Sequence, residues 1–546
     1  MIYFSTLLIS MFITIALIPV FRRLAVRVKV LDYPGDRKVH DRPMPKSGGI
    51  AMALGVLIPV LLWTPADKFA IALLIGAGIV VLLGLVDDFK DLGYRAKFAG
   101  QIAAALVVIV YGGVKIKSLG MLLPAGVLLP DLLAIPLTLI VIVGVTNAIN
   151  LADGLDGLAG GICILSFLCI AYLAYCGGNT VIAMLSIAIA GAIFGFLRFN
   201  TYPATVFMGD AGSQFLGFTA ITLSLKLTQG NTPLSPILPL ILLGFPVFDT
   251  VTVMCERAAK RRSLFMADKN HLHHKLIRLG LFHTEAVFTI YIIQAFLVSA
   301  AFLFRFYSEW LLLFGYIIFS GLILLGLVAA DRSGFKFKRH GLLDRVIKGK
   351  LKELKEKQVF IKASFRAACL LFIALMLFSC FLPKTIPAYL SFSAIAFGGM
   401  LLVTRLAGKQ WMAGALRITI YLLVIFVIYL GEANMAVWMN GQARYLYNLS
   451  FGVMALFVIL TLRLSRRTMG LRITPMDFLI IFIAMVVPNL PDEQIQSYNM
   501  GLLAAKIIVF FFSCDVLMLE LRARLDQLGL ATVAALGVIA VRGLVF

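Results

Sequence analysis

The sequence predicts an all-α, polytopic integral membrane protein with about eighteen transmembrane helices. Three observations predict it. Hydrophobic residues make up 61% of the 546 and charged residues only 14%, with a mean hydropathy of +0.98, far above a soluble globular chain. Apolar stretches of roughly 17 to 22 residues recur from end to end, each able to cross about 30 Å of hydrocarbon as a helix. Lys and Arg gather at 22–46, 255–278, 332–366, 405–417 and 463–472, which fall on one face when successive spans alternate sides. That face reads as cytoplasmic. The net charge of +22 therefore reports topology and contact with anionic lipid, and no nucleic acid partner is expected.

Taken in order, the first apolar run, IYFSTLLISMFITIALIPVF, has basic residues after it and none before. It reads as a span with its N-terminus outside rather than a cleaved signal. Further spans follow near 48–63, 69–86, 99–113, 130–146, 158–177, 180–197, 212–228, 235–254, 288–304 and 310–330. These eleven form one module, residues 1–330. Residues 331–364 read as a basic cytoplasmic linker in which KGKLKELKEKQ is expected to be an interfacial helix. About seven more spans make an additional membrane module, 365–546, whose role nothing in its residues chooses. The seven cysteines lie within or at the ends of spans with no CxxC, so neither a disulfide framework nor a zinc-thiolate site is suggested.

Chemistry is expected in the first module, where polar clusters recur at the cytoplasmic span ends. In LVDDFKDLGYRAKF, Asp87, Asp88 and Asp91 close the third span. Adjacent acids there repel each other and oppose the helix dipole, so they call for a cation, a solvated helix end being the alternative. TNAINLADGLDGLAGG brings Asn147, Asn150, Asp153 and Asp156 together with glycines. No Glu stands twelfth in any register, so a calcium loop fails, whereas close backbone approach beside amides and carboxylates suits a nucleotide or sugar. In RFNTYPATVFMGDAGSQFLG, Asp210 enters a helix, as an ordinary cap or as part of an anion site. RAAKRRSLFMADKNHLHHKLIRLG gathers His271, His273 and His274 among basic residues, which fits an anion better than zinc. YPGDRKVHDRPMPKSGGIAM offers Arg37, Lys38, His40, Arg42 and Lys46 as phosphate contacts or positive-inside residues. Acids suited to a hard cation thus face bases suited to phosphate, the inventory for metal-assisted phosphoryl transfer.

In order and content, GLVDDFKDLG, NAINLADGLDGLAGG, FMGDAGSQFLG and NHLHHKLIRLG resemble the signature segments of the polyprenyl-phosphate N-acetylhexosamine-1-phosphate transferases. The resemblance covers about residues 1 to 330. HDRPMPKSGG and HLHH look more like the GlcNAc-type branch than the muramyl-pentapeptide branch, since Leu272 interrupts the usual run of three histidines. The resemblance implies a UDP-N-acetylhexosamine donor, UDP-GlcNAc for this branch, a polyprenyl (undecaprenyl) phosphate acceptor, and the first membrane step of cell-wall or O-antigen polysaccharide synthesis. It implies Mg²⁺, with Mn²⁺ as an alternative, held by Asp210 with Asp153, Asp156 and Asn150. Asp87 and Asp88 would sit by the acceptor phosphate and Asn147, Asn150, Asp153 and Asp156 by the donor. His271, His273 and His274 would steady the diphosphate with Lys46. The expected setting is a bacterial inner membrane with the active site on the cytoplasmic face, and a homodimer is admitted as an assembly. Direct in-line attack is favoured over a covalent aspartyl intermediate. The competing class is a secondary transporter or lipid-linked-sugar flippase, whose sites lie near the bilayer midplane on broken helices.

Overall fold

The computed structural model describes residues 2–34, then 42–335 except 66, 125, 231, 262 and 264–269, and 358–464 except 408, 434, 437 and 440. From 502 to 545 it describes all but 504, 505, 508, 511, 512, 515, 516 and 519–524. Among the described residues the chain is helical apart from its connecting loops, one two-residue antiparallel ladder and two isolated bridges, and nine helices are long and apolar enough to cross a membrane. The predicted all-α, multi-pass architecture is therefore observed. The count of about eighteen spans is not reached among the described residues, and residues 348–357 of the expected interfacial helix lie outside them.

Two compact units divide the chain, Met1–Lys338 and a second that begins at Arg339. The first runs α1 (Ile2–Arg27), β1 (Leu31–Asp32), β2 (Met44–Pro45), α2 (Gly48–Trp63), α3 (Lys68–Lys90), α4 (Tyr94–Val110), α5 (Asp131–Ala152) and α6 (Leu158–Cys176). It continues with α7 (Thr180–Asn200), α8 (Gly209–Thr228), α9 (Leu238–Leu242), α10 (Gly244–Ala259), α11 (Leu272–Arg278), α12 (His283–Leu303) and α13 (Glu309–Arg332). The ladder pairs Leu31 with Pro45 and Asp32 with Met44. The second unit holds helices Gln358–Ser379, Ala388–Ala407, Lys409–Ala433, Gly441–Leu464 and Leu525–Val545.

Helix α8 is the centre of the first unit. Every residue from Ala211 to Thr228 except Lys226 is buried, and α2, α3, α5, α6, α7 and α9 pack around it. Such close approach needs small residues where backbones meet, because lipid supplies no hydrophobic drive between helices. A Cβ on Gly84 of α3 would strike the backbone of Asp210 and Ala211, and one on Gly49 of α2 would strike that of Gly212. With its surface enclosed by protein, α8 tolerates polar residues, and Thr219 and Thr228 return their hydroxyls to carbonyls of Phe215 (2.7 Å) and Ser224 (2.9 Å).

The single span predicted over 235–254 is interrupted. Pro239 starts the short α9, and the chain breaks at Leu243 before Gly244 opens α10. Non-helical backbone at membrane depth persists only where protein satisfies the freed groups. Gln294 does so from α12: its amide nitrogen donates to the Leu242 carbonyl (2.7 Å) and its oxygen accepts from Phe245 N–H (3.3 Å). Ser166 also donates to Leu242 O (2.7 Å) and Tyr316 to Gly244 O (2.8 Å). The break thus leaves these groups engaged within the protein rather than open to a ligand.

The contact between α3 and α8 yields a paired test. Gly84→Ala is expected to overpack it, costing about 1 to 3 kcal/mol and lowering the thermal midpoint of the detergent-purified protein. Gly78→Ala on the same helix, where a Cβ meets nothing within 4 Å, is expected to leave the midpoint unchanged. Equal midpoints for the two variants would count against this packing.

Candidate active site

Four of the five predicted clusters meet around the N-terminus of α8. Residues 207–208 run beside the strand that enters α2: Phe207 N–H donates to Pro45 O (2.9 Å), Gly48 N–H to Phe207 O (2.9 Å) and Gly49 N–H to Met208 O (2.9 Å). Lys46, bridged to Phe207, is thereby delivered to the start of α8. From α3, the buried Asp88 accepts the backbone N–H groups of Asp210 (3.1 Å) and Ala211 (3.3 Å). These are orphan donors of the first turn, so Asp88 caps α8 from another helix. Gly209 has φ of +69°, and a Cβ there would run into the Asp88 carboxylate.

Asp210 itself is not a cap. The N-cap position is Met208 and carries no side-chain cap bond, while the Asp210 carboxylate turns to Lys97 of α4 at 2.7 Å. The same ammonium lies 2.5 Å from Asp87, whose other oxygen accepts Leu92 N–H (2.7 Å) at the end of α3. Lys46 stands 3.6 Å from Asp88 and 3.8 Å from Asp32. Lys97 was not singled out in the sequence, where it reads as one more positive-inside residue.

The amide cluster is helical rather than a loop, since α5 extends to Ala152 and carries Asn147 and Asn150 on it. Asn147 exchanges hydrogen bonds with Gln101 of α4 (2.6 Å for Asn147 Nδ2 to Gln101 Oε1), and Gln101 donates to Gln214 (3.1 Å). Asn150 Oδ1 accepts from Ser213 (2.8 Å). Asp156 receives Ala204 N–H (2.9 Å), tying the glycine turn to the loop before α8, and the next N–H, of Gly157, goes to Asn200 (2.9 Å). Asp153 has no comparable bond among the described residues. Burial pushes its carboxyl up to about 8, with Asp210, Asp156, Asp88 and Asp32 adding like charge.

The histidine segment divides. His271 places Nδ1 2.8 Å from Asp249 of α10, and the second Asp249 oxygen accepts Leu272 N–H (2.6 Å). Asp249 escaped the sequence reading, although an acid inside the apolar run GFPVFDTVTVM is the signal that could have found it. His273 packs against Gly154, where a Cβ would meet its ring, and its ring centre lies 4.2 Å from that of His274 with the planes tilted by 43°. Burial, then His274, lowers the His273 imidazole to about 3. With its imidazole held so far below the usual range, His273 can meet an anion as a neutral hydrogen-bonding group, and its buried Nδ1 has no partner among the described residues. Arg37, Lys38 and His40 lie outside the described residues.

Asp87, Asp88, Asp153, Asp156 and Asp210 outnumber Lys46 and Lys97, and their oxygens are the hard donors that Mg²⁺ prefers. Among the described residues no three acidic, cysteine or histidine side chains form a ready metal cluster, and Lys97 holds the space between Asp87 and Asp210. The donor chemistry fits a divalent cation, and the raised carboxyl of Asp153 marks where positive charge is short.

Comparison with known proteins identifies the family. The model of "Glycosyl transferase family 4" matches residues 70–228. A Bacillus subtilis protein named "Probable undecaprenyl-phosphate N-acetylglucosaminyl 1-phosphate transferase" is 37% identical over 326 residues, 59% of this chain and 90% of the relative. An Escherichia coli K12 protein named "Undecaprenyl-phosphate alpha-N-acetylglucosaminyl 1-phosphate transferase" is 33% identical over 353 residues, 63% and 94% of the two chains. A Mycolicibacterium smegmatis protein named "Decaprenyl-phosphate N-acetylglucosaminephosphotransferase" is 34% identical over 304 residues, 50% of this chain and 74% of the relative.

His273 gives this site a pH signature. Its folded value, about 3, lies below the ordinary 6.5, so its neutral form stabilises the fold fully above pH 6.5 and that contribution is lost as pH falls toward 3. Between pH 7 and pH 5 the wild-type thermal midpoint is expected to fall, by at most about 1.4 kcal/mol per pH unit from this group, and His273→Asn to fall less steeply. Parallel profiles would show that His273 carries no such linkage.

Proposed function

The chain belongs to glycosyl transferase family 4, and on that premise we propose that it transfers N-acetylglucosamine 1-phosphate from UDP-GlcNAc to a polyprenyl phosphate. The products are the polyprenyl-diphosphate sugar and UMP. The observation that carries this reading is the convergence of Asp87, Asp88, Lys97 and Lys46 on the first turn of α8 beside Asp153. A membrane helix end that collects acids and lysines in this way suits phosphate chemistry at the bilayer border. The setting proposed is a bacterial inner membrane with this cluster on the cytoplasmic side and the N-terminus outside.

An acceptor phosphate, with a second pKa near 6, is already mostly ionised at pH 7, so little proton removal is needed. One of its oxygens bonds to the sugar-bearing phosphorus of the donor while the bond from that phosphorus to the bridging oxygen breaks. The electron pair leaves on UMP. The harder task is to bring two anions together, and the residues divide it. Lys97 and Lys46 are the cationic side chains that can turn to phosphate oxygens, Asp88 holds α8 in place through its backbone bonds, and Asp87 keeps Lys97 at the junction. Asp156 and Asn150 are engaged in holding the loop and α8, which leaves Asp153, and Asp210 once Lys97 turns from it, as the acids best placed to hold Mg²⁺. When bound, the ion would screen the diphosphate and the charge growing on the leaving UMP. His273 and His271 line the adjoining wall, His271 fixed by Asp249.

A transporter reading finds no support. The one interrupted helix described above has its freed groups taken by Gln294, Ser166 and Tyr316, and the acids collect at helix ends instead. Purified protein supplied with UDP-GlcNAc, polyprenyl phosphate and Mg²⁺ is expected to release UMP, and Asp210→Asn to lower kcat by about 10² or more. A well-folded protein that releases no UMP would sink the proposal. Labelled UMP that exchanges into UDP-GlcNAc without acceptor would replace in-line attack by a covalent intermediate.

A further inference from the structure

The second unit carries a charged cluster that the transfer reaction does not use. Lys506, 2% exposed at its side chain, pairs with Glu432, 4% exposed, at the end of helix Lys409–Ala433. The ammonium also lies over the faces of Tyr447 (4.3 Å) and Phe451 (5.6 Å). The second Glu432 oxygen holds Arg444 Nη2 at 3.1 Å, in the first turn of helix Gly441–Leu464, and 37% of the Arg444 side chain is open to the surroundings. Tyr447 bonds Ser379 (2.9 Å) at the end of helix Gln358–Ser379. The turn that follows is gripped by Arg542, which donates to the carbonyls of Cys380 (2.7 Å) and Pro383 (2.7 Å). Pro383 bridges Met435, just past Glu432, so these helix ends meet at one end of the unit.

A buried ion pair alone would be a structural staple, and replacing it by packed apolar side chains is often neutral. Among the described residues this cluster is not balanced: Lys506 and Arg444 share the acid Glu432, while Arg542 is held by two backbone carbonyls, which leave its charge uncancelled. Ionisable groups buried within a membrane unit, as Lys506 and Glu432 are, are costly, and where they occur they are functional-site candidates. Lys506 and Glu432 neutralise each other and fix Arg444 by one corner of its fork, while the rest of that part-exposed guanidinium has no ion pair among the described residues. A second guanidinium, that of Arg542, is fixed on the turn whose Pro383 bridges Met435, and planar forks of this kind match phosphate oxygens. The turn from Arg444 to Asn448 adds a buried amide oxygen without a partner among the described residues, on a group whose nitrogen and oxygen can exchange places.

We propose that this end of the second unit binds a phosphate or diphosphate group, with Arg444 and Arg542 as its donors and the Lys506–Glu432 pair as the support that aims Arg444. The probe is labelled inorganic diphosphate, measured by equilibrium binding to the purified full chain in detergent with EDTA. Expected is a site that survives Asp210→Asn and weakens about tenfold or more in Arg444→Gln and in Arg542→Gln, the effect of losing a charged hydrogen bond. The double variant Lys506→Met, Glu432→Gln keeps volume and is expected to weaken binding as well, whereas a mere staple would leave affinity unchanged. Should a glutamine variant fail to fold, Arg444→Lys keeps the charge but loses the fork, and is expected to weaken binding in a folded protein. No diphosphate binding in Asp210→Asn, or unaltered affinity in both arginine variants, overturns the proposal. Competition by vesicles carrying polyprenyl diphosphate assigns the group to a lipid-linked diphosphate, and competition by phosphatidylglycerol vesicles assigns it to bulk anionic headgroups.

Discussion

The first unit depends on a carboxylate that caps a helix other than its own. Asp88 ends α3, yet its oxygens take the N–H groups of Asp210 and Ala211 that open α8. A helix whose first turn is packed against its neighbours cannot leave those donors bare, because an unpaired buried N–H is costly. Once Asp88 supplies them, the Asp210 side chain is released from the cap position that its sequence context suggests. It turns instead to Lys97. The same interaction holds α3 close to α8, and that closeness is why Gly84 and Gly209 must be small, as Gly49 must be where α2 meets α8.

Much of this was legible as residues and little of it as partnerships. Hydropathy gives the helices, and the acid, amide and histidine clusters stand out because polar groups at span ends are costly and uncommon. Lys97 was hidden by its type: in a chain whose basic residues mark one membrane face, a lysine that neutralises two aspartates looks like any other. Asp249 was hidden by place, within an apolar run that reads as a plain span. The interruption before α10 was invisible because what makes it tolerable, Gln294 on α12, lies far along the chain. Periodicity sees a helix face but not the group that will sit against it.

The histidines show the same limit from the chemical side. Their neighbours Arg257, Lys260 and Lys275 suggest a cationic patch for anions. Burial decides otherwise for His273, since removing an imidazolium from water costs more than distant charges return. Lys275 is meanwhile spent on Glu256. The segment is thus held by internal partners, Asp249 on one side and the Gly154 backbone on the other, and a neutral ring is what it presents to the loop that carries Asp153 and Asp156.

Charge neutrality then orders events at the cluster. Lys97 cannot turn to an incoming phosphate without leaving Asp87 and Asp210, which face each other across the space it fills. Two carboxylates so close and so poorly solvated do not both stay ionised without positive charge between them. Under the proposed function, therefore, substrate phosphate and positive charge, as a proton or a metal ion, must arrive together. Asp153, already short of a counter-charge, is where that demand is felt first. Lys97 is then less a fixed binding group than a placeholder, holding the junction neutral until the reactants supply their own balance.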